Sequence, residues 1–530
     1  MLIWAILIVY VAIMIGIGVY CRRQTSNVSE YVLGGRNIGG WMTAFAYGTS
    51  YFSAVIFIGY AGQFGWSYGV SSTWIGLGNA FIGSMLAWIL LGNRARKMTR
   101  SLGVSTMPEY FEKRYNSTGL KTASALIVFL FLIPYTASVY NGLSTLFADA
   151  FPGIPYAAWI VVMALLTAVY VILGGYKATA VNDFIQGLIM LVGIAAVVVL
   201  ALSKQGGFSA ALAGLNALPV AEGAKGTYGS IIGPDPLNLL GVVILTSLGT
   251  WGLPQMVQKF YAIKDKPAIR RGTVISTVFA VVVAGGSYFL GGLGRLFCTT
   301  GEESGLTHIA TLANGKPDYD SIVPAVLRAS VPDILFGIVV VLVLSASMST
   351  LASLVLSSSS TLTIDLIKPA MKQKMTEKKQ VLIMRVFIAV FLLVSVLIAI
   401  NKDTLNNMGI NISALMSISW GTLAGSFLAP FLYGLFMKRV SKAAVWVSFA
   451  SGVIITVATM IFFNLGLFPE LTKWAASFTV GGFSFNLASP INWGAIAMLA
   501  GLIEVPLVSL FTKDRHPADT EEIFAALSAE

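Results

Sequence analysis

Residues Leu188–Ser203 read LIMLVGIAAVVVLALS, an apolar run without a charge that lies inside a candidate membrane span at residues 179 to 203. A helix that crosses a bilayer needs about 20 predominantly apolar residues. Other long apolar runs recur along the 530 residues, for example Leu382–Ile400, which contains one charge, Arg385, and the chain is 56% hydrophobic but only 11% charged. This composition predicts an all-α, polytopic membrane protein and argues against a soluble enzyme, a nucleic-acid binder or a disulfide scaffold.

The sequence offers few ligands for a metal centre and few partners for a disulfide. Cys21 and Cys298 are its only cysteines, and His308 and His516 are its only histidines. Because a structural metal site needs several such ligands, we expect no cofactor apart from a coupling ion. Apolar sequence starts at Leu2 without a basic segment before it, so we expect a retained first helix rather than a signal peptide.

Hydropathy and charge together predict a topology. The thirteen candidate spans are residues 2–20, 42–65, 71–92, 120–147, 156–175, 179–203, 237–262, 272–297, 334–364, 381–400, 408–436, 444–467 and 488–512. If the N-terminus faces outward, the inner loops, one of which begins at Lys259, carry 27 of the 34 lysines and arginines. The positive-inside rule then places the N-terminus outside and the C-terminus inside. The same bias explains most of the net charge of +11 without a nucleic-acid partner.

The spans predict an inverted repeat within a single transmembrane domain, residues 1–530. An extra N-terminal helix and inner loop (1–41) precede two sets of five spans, at 42–203 and 237–436, and two further helices (437–512) and a cytoplasmic tail (513–530) follow. Because five is odd, the second set must start on the opposite side of the membrane from the first. Inverted repeats of this kind are typical of secondary transporters.

The first helix of each set is rich in helix-breaking residues. These are Gly48, Gly59, Gly62 and Gly65 in the first set, and Gly241, Gly249, Gly252 and Pro254 in the second. Unwound backbone inside a bilayer is tolerated only where protein, water or an ion meets its polar groups. The pattern predicts two broken helices, and the alternative is that the glycines serve close helix packing.

A polar stripe runs through the ninth span, which reads LSASMSTLASLVLSSSSTLTID from Leu344 to Asp365. Helical spacing puts Ala346, Ser349, Thr350 and Ser353 on one face. Hydroxyl and carbonyl oxygens are the hard ligands that a small alkali cation prefers. The alternative is that these hydroxyls bond to carbonyls of their own helix and contribute only to packing.

Several carboxylates fall in or near the spans. Asp183 lies at the start of the sixth span, where a charge is costly and often functional, although capping of a helix N-terminus is an alternative role. Glu504 lies outside both five-span sets, which favours a structural role for it. Asp365 and Arg385 are expected to reach the inner membrane interface from the ends of their spans.

Three ordered motifs resemble the sodium/solute symporter family over about residues 30 to 450. They are GVSTMPEYFEKRYN at Gly103–Asn116, LGGYKATAVNDFIQG at Leu173–Gly187 and GTLAGSFLAPFLYGLFMKR at Gly421–Arg439. The first resembles the family's inner loop after the third helix, the second its Gly-Gly and Thr-Asp-x-x-Gln signature, and the third its later small-residue signature. The resemblance implies thirteen helices, the leucine-transporter fold and its inverted five-helix repeat.

The resemblance also implies a sodium site. Its ligands would be the carbonyl oxygens of Thr49, Phe52 and Ala346 and the hydroxyls of Ser349 and Thr350. Asp183 and Ser353 would belong to a second sodium site, or would couple to the first. Two departures from the family pattern, Asn182 and Ala352, stand where other members carry hydroxyls in that second site. We therefore expect one sodium ion per cycle.

The expected solute is a small carboxylate or amino acid rather than a sugar. Family members that carry sugars have polar residues where this chain has Ile56, Gly76 and Pro254. Members of the proline type have aromatic residues where this chain has Val55, Thr246 and Thr250, although Tyr135 and Pro254 fit their pattern. The resemblance implies a solute held by N–H groups of the broken helices. The candidate lining residues are Ser53, Ile56, Tyr135, Trp251, Gly252 and Pro254.

These features predict a sodium-coupled symporter that imports its solute by alternating access through a bacterial-type inner (plasma) membrane. One alternative is a proton-coupled transporter of the same fold, with Asp183 as the proton carrier. Another is a membrane enzyme or sensor. An enzyme would need clustered catalytic groups, whereas the spans contain isolated carboxylates. A sensor would normally add a sizeable output domain, whereas 18 residues follow Thr512.

Overall fold

Long apolar helices make up most of the computed structural model, which describes residues 2–22, 27–301, 305–312, 315–371, 375–408, 410–465, 467–512 and 520–525. His516 and most of the predicted tail at 513–530 lie outside the described residues. In the first half the helices are α1 (Leu2–Arg22), α2 (Val28–Leu33), α3 (Gly40–Tyr51), α4 (Val55–Tyr60 continued by Ala61–Tyr68), α5 (Thr73–Gly78, Asn79–Leu86, Trp88–Gly92 and Asn93–Ser101), α6 (Met107–Tyr115), α7 (Thr118–Ala150), α8 (Tyr156–Lys204) and α9 (Phe208–Ala217).

The second half of the chain also consists mainly of long helices. Its helices are α10 (Pro236–Gly249), α11 (Pro254–Ala262), α12 (Lys266–Gly292), α13 (Ile322–Ser330), α14 (Asp333–Ala370), α15 (Glu377–Ile400), α16 (Lys402–Asn407), α17 (Ile412–Phe436), α18 (Lys442–Asn464), α19 (Pro469–Ala476) and α20 (Pro490–Phe511). In the part of the chain that the structure describes, the strands form two short pairs: β1 (Cys298–Thr299) runs parallel to β2 (Thr307–His308), and β3 (Thr479–Val480) runs antiparallel to β4 (Phe483–Ser484).

Eleven helical segments in the described part of the chain are long and apolar enough to cross a bilayer. Two of them contain a turn. The 49 residues of α8 would extend about 74 Å as one straight helix, more than twice the hydrocarbon thickness. Gly175 interrupts α8 with φ 56° and ψ −159°, and Gly69 ends α4 with φ 63° and ψ −143° before α5 begins. Positive φ at these turns favours glycine.

Both predicted helix breaks are present. In the first set, α3 ends at Tyr51, Phe52 has the extended angles φ −88° and ψ 121°, and helix resumes at Val55. In the second set, α10 ends at Gly249, and Leu253, with φ −81° and ψ 122°, precedes α11. The sequence prediction that these two helices are broken is therefore confirmed.

The glycines of the first broken helix do not form its break, which falls between Gly48 and Gly59. They allow close packing instead. A Cβ atom at Gly48 would lie 2.5 Å from the ring of Phe279, one at Gly62 would lie 2.3 Å from the carbonyl oxygen of Tyr319, and one at Gly65 would lie 2.0 Å from the backbone of Gly291. For these residues the packing alternative is correct.

Burial separates central helices from those at the rim. The apolar window of α17 is entirely buried, whereas only a third of that of α15 is buried. Large apolar side chains such as Val192 on α8 and Leu393 on α15 are exposed. An apolar outer surface of this extent suits contact with lipid rather than water.

Candidate functional site

The break after α3 brings carbonyl oxygens against a hydroxyl of α14. The Thr350 hydroxyl lies 3.2 Å from the carbonyl oxygen of Thr49, 3.3 Å from that of Phe52 and 3.2 Å from that of Ala346 in its own helix. One hydroxyl has one proton, so it can donate to only one of the three acceptors at a time. The cluster therefore has more acceptors than donors, which is the arrangement that a bound cation satisfies.

Ser349 joins this cluster to the buried carboxylate of Asp183. The Ser349 hydroxyl lies 2.8 Å from Thr49 Oγ1 and 2.5 Å from Asp183 Oδ1, and Thr49 Oγ1 itself donates to the carbonyl of Phe45. Asp183 lies about two turns beyond Gly175 inside α8, too deep to cap that helix segment. The structure thus brings together all five residues of the predicted main sodium site, with one carboxylate beside them.

The structure corrects the predicted position of Lys259, which was counted among the residues of an inner loop. It lies in α11 with 2% of its surface exposed. Its Nζ atom is 3.0 Å from the hydroxyl of Ser353 and 4.0 Å from Asp183 Oδ2, and the Ser353 hydroxyl contacts that of Ser50 at 2.7 Å. Both residues of the predicted second sodium site thus face an ammonium group. The predicted span at 237–262 already contained this lysine, which was the available signal.

The structure also shows the surroundings of two other carboxylates, Asp365 and Glu504. Asp365 was expected to reach the interface, but its side chain is completely buried, with Oδ1 3.8 Å from Lys121 Nζ. The Lys121 ammonium, which also contacts Glu112 of α6, offsets part of the cost of burying this carboxylate inside the protein. Glu504 accepts a hydrogen bond of 2.6 Å from Ser451, so it connects α20 with α18, consistent with a structural role.

The candidate solute residues separate into two groups. Ser53 and Ile56 are fully buried at the first break, and the ring of Tyr135 on α7 meets that of Trp420 on α17 edge to face, with centroids 5.9 Å apart. The Tyr135 hydroxyl lies near the Trp420 indole and the Ser53 hydroxyl, but among the described residues neither it nor the Trp420 indole N–H makes a hydrogen bond of normal length. Trp420 was not among the sequence candidates, although hydroxyl residues such as Ser417, Ser419 and Thr422 lie near it in the sequence and were the available signal.

The second group consists of Trp251, Gly252 and Pro254, which lie at the second break rather than at the first. Trp251 donates its indole N–H to the carbonyl of Ile82 on α5, at 3.0 Å. Gly252 lies against α17, where an added Cβ would be 2.8 Å from the amide nitrogen of Leu428. Pro254 is the first residue of α11 and is buried.

The N–H groups at the start of α4 were expected to hold the solute, but two of them already have partners. The amide of Ala54 donates to the Ser347 hydroxyl at 3.1 Å, and the amide of Val55 donates to the Ser53 hydroxyl at 3.2 Å. Because both acceptors are serine hydroxyls, a solute would have to compete with them for these donors.

A cavity of about 720 Å³ lies at the side predicted to face outward, and its walls include residues of the segments before α10, α17 and α20. Gln63 of α4 lines the cavity and accepts hydrogen bonds from Asn411 and Ser413. One turn deeper, the Tyr60 hydroxyl meets that of Ser417 at 2.7 Å. These contacts between α4 and α17 separate the cavity from the first break.

The opposite end is closed by backbone and arginine contacts. The amide of Ile38 donates to the carbonyl of Ala262, and the amide of Lys264 donates to the carbonyl of Ile38. The guanidinium of Arg100 donates to the carbonyls of Arg36, at 2.8 Å, and Ile263, at 3.0 Å. The first break is therefore shielded on this side as well.

Known proteins share this fold. A solved structure of a Na⁺-coupled sialic acid symporter, in a substrate-bound outward-open state, aligns with a TM-score of 0.68, 18% sequence identity and coverage of 97% of this chain and 98% of that one. A nucleobase-cation-symport-1 family transporter, in a closed conformation with bromovinylhydantoin bound, aligns with a TM-score of 0.53, 16% identity and coverage of 94% and 99%. At these identities the likeness shows the fold.

Sequence comparison shows the family. Sodium/proline symporters of Staphylococcus aureus strains JH9 and N315 are each 29% identical over 467 residues, which cover 85% of this chain and 84% of the relative. The sequence model of the sodium:solute symporter family matches residues 31–452. This match spans most of the chain and contains both helix breaks and the oxygen cluster between the first break and α14. This multi-pass membrane protein therefore belongs to the sodium:solute symporter family.

Proposed function

We propose that the protein imports a small amino acid or carboxylate together with sodium across a bacterial plasma membrane. The observation that carries this proposal is the position of the Thr350 hydroxyl among three carbonyl oxygens from two helices. Neutral hard oxygens of this kind suit an alkali cation. Asp183, bonded to Ser349, supplies a negative charge one hydrogen bond away.

Sodium at this position would couple ion binding to conformation. Its ligands would come from the broken helix α3 and from α14, so they stay together only while those two helices keep this arrangement. An ion can shift a conformational equilibrium by its difference in affinity for the two states. One positive charge that moves down the membrane potential adds about 2.3 kcal/mol per 100 mV.

The proposed topology has thirteen crossings, with the N-terminus outside and inverted repeats at 42–203 and 237–436. The turns at Gly69 and Gly175 support it, because each divides a helical stretch too long for one crossing. The two helix breaks support the repeat, since they occur at the first helix of each set.

The proposed solute is an amino acid such as proline, with its carboxylate near Tyr135 and Trp420. Both residues present a buried donor that makes no hydrogen bond of normal length among the described residues, and a carboxylate offers only acceptors. Relatives named as sodium/proline symporters favour the same class. A sugar, which needs acceptors as well as donors, is less well matched.

Uptake into proteoliposomes tests this function. Labelled proline should accumulate when a sodium gradient points inward and should not accumulate when potassium replaces sodium, and Ser349→Ala should abolish the sodium response. Uptake that persists without sodium and follows the pH gradient would instead support proton coupling. A thermal-shift screen of amino acids, small carboxylates and sugars tests the solute, and stabilisation by a sugar alone would contradict the proposed class.

A further inference from the structure

A buried cation is built into the protein beside the proposed sodium site. Lys259 extends from α11 toward α8 and α14, and its Nζ atom lies 3.0 Å from the Ser353 hydroxyl and 4.0 Å from Asp183 Oδ2. We propose that the Lys259 ammonium takes the place of a second sodium ion, so that the protein binds one sodium ion per cycle. This inference rests on the proposed sodium coupling.

The geometry around Lys259 leaves no role for a second free cation. Asp183 is the only acidic side chain in contact with this ammonium among the described residues. Its Oδ1 atom bonds to Ser349 at the main site, while Oδ2 faces Lys259. An additional cation bound to Asp183 Oδ2 and Ser353 would lie within a few ångströms of the ammonium. Like charges that close repel strongly in a buried, low-dielectric environment.

The other surroundings of Lys259 also suit a cation. Nζ lies 5.0 Å from the centre of the Tyr176 ring, at a distance typical of a cation–π contact. The Ser353 hydroxyl, which accepts from Lys259, also contacts the Ser50 hydroxyl of α3 at 2.7 Å. The ammonium therefore connects α11, α8, α14 and, through Ser353, α3. Two of these helices, α3 and α11, each border one of the two breaks.

A tethered cation differs from a bound ion in one respect that can be measured. Sodium leaves with the solute and contributes its charge and gradient to each cycle, whereas Lys259 remains attached to α11. Asn182 and Ala352, which replace hydroxyl residues of a second sodium site, fit the same inference, because a site filled by an ammonium has no need of those oxygens.

The experiment is equilibrium binding of ²²Na⁺ to purified protein in detergent, with sites counted per polypeptide. Wild type should bind one ion. Lys259→Met removes the ammonium but keeps an apolar stem of similar length, so Asp183 should recruit a second ion and the count should rise to two. Lys259→Arg, which keeps the charge, should bind one ion. Lys259→Met combined with Ser353→Ala should bind the second ion at least tenfold more weakly than Lys259→Met alone, since the Ser353 hydroxyl would be one of its ligands.

The outcomes separate this inference from the function on which it rests. Two ions bound to wild type, or one ion bound to a folded Lys259→Met protein, would overturn the role of Lys259 while leaving sodium coupling intact. No sodium bound to wild type would overturn the proposed function itself. If Lys259→Met fails to fold, Lys259→Gln, which removes the charge but keeps a polar group toward Ser353 and Asp183, should bind two ions, and a count of one for it would overturn the role of Lys259.

Discussion

Thr350 has one proton for three carbonyl oxygens, and this imbalance can be tested directly. Thr350→Ala removes the hydroxyl ligand from the proposed sodium site and leaves the carbonyls of Thr49 and Phe52 without their contact to α14. The loss of one ligand to a charged partner costs about 1.5–3 kcal/mol, so sodium affinity should fall about 10- to 100-fold. Sodium-dependent changes in tryptophan fluorescence measure this affinity.

Ser360→Ala is the matched control for that experiment. Ser360 lies on the same helix, but its hydroxyl donates to the carbonyl of Ser357, one turn earlier. Its removal should leave sodium affinity unchanged, because that hydroxyl serves only its own helix. An equal loss of affinity in both variants would show that hydroxyls of α14 act through packing rather than as ligands.

Tyr135 tests the proposed solute position. In Tyr135→Phe the hydroxyl is lost, and if it donates to the solute carboxylate, the proline concentration for half-maximal uptake should rise about tenfold. Without proline, the melting temperature should not fall, since this hydroxyl makes no hydrogen bond of normal length among the described residues. Tyr60→Phe is the contrasting variant, because it breaks the bond to Ser417 and should lower stability by about 1 kcal/mol. Unchanged proline affinity in Tyr135→Phe would place the carboxylate elsewhere.

At the level of residues, the sequence predicted the parts of the site that follow a family motif. The structure places Thr49, Phe52, Ala346, Ser349 and Thr350 together, as the resemblance implied. Lys259 and Trp420 were not predicted as site residues, and for Lys259 the reason is physical. A lysine near a helix end usually reaches water, and only the packing of α8 and α14 around α11 shows that Lys259 does not.

Between helices, close contact depends on particular glycines, and Gly65 shows this most sharply. A Cβ atom there would lie 2.0 Å from the backbone carbon of Gly291, so Gly65→Ala forces α4 and α12 apart. Overpacking of this kind costs about 1–3 kcal/mol, and the melting temperature in detergent should fall accordingly. At Gly285, a Cβ would have no neighbour within 4 Å, so Gly285→Ala should be neutral or slightly stabilising. Equal melting temperatures for the two variants would contradict this account.

The sequence predicted which helices are broken but not the residues at which they break. The glycine-rich first helices of both sets indicated where unwound backbone would occur, yet the first break falls at Phe52, which no local signal marks. Its place is set by tertiary contacts. The amide of Ala54 donates to Ser347 on α14, and α7 approaches so closely that a Cβ at Gly142 would lie 3.0 Å from Ala54.

Asp320, in the connection between α12 and α13 on the side predicted to face outward, forms a buried ion pair with Lys402 of α16 outside the membrane-spanning segments. Asp320 Oδ2 lies 3.6 Å from Lys402 Nζ, and burial raises the pKa of Asp320 to about 6, against the opposing effect of Lys402. Because this pKa lies above its ordinary value, the stabilisation from protonation is complete below about pH 4 and is lost as the pH rises through 6. Relative to Asp320→Asn, wild type should therefore gain about 1 kcal/mol between pH 7 and pH 5. Thermal unfolding in detergent measures this, and identical pH profiles for the two proteins would contradict it.

Across the whole molecule, the basic residues of the predicted inner side have a second role besides setting topology. Arg94 donates to the carbonyl of Leu435, and Arg114 donates to those of Gly434 and Met437 at the end of α17. The last carbonyls of a helix lack partners in their own helix and carry partial negative charge, so cations there are favourable. Counting charges from the sequence predicted their side of the membrane, but it could not show which carbonyls they would bind.

Arg100 gives the test of closure at this end, since it joins α5 to the chain before α3 and to the end of α11. Arg100→Gln should loosen these contacts, so that the amides of Ile38 and Lys264, which bond across the same junction, exchange with deuterium at least tenfold faster. Sodium should slow that exchange if it favours the state closed on the inner side. Arg94→Gln, which affects only the end of α17, should leave both amides protected. If Arg100→Gln exchanged no faster than wild type, the junction would be held by its backbone bonds alone, and opening of the inner side would have to begin elsewhere.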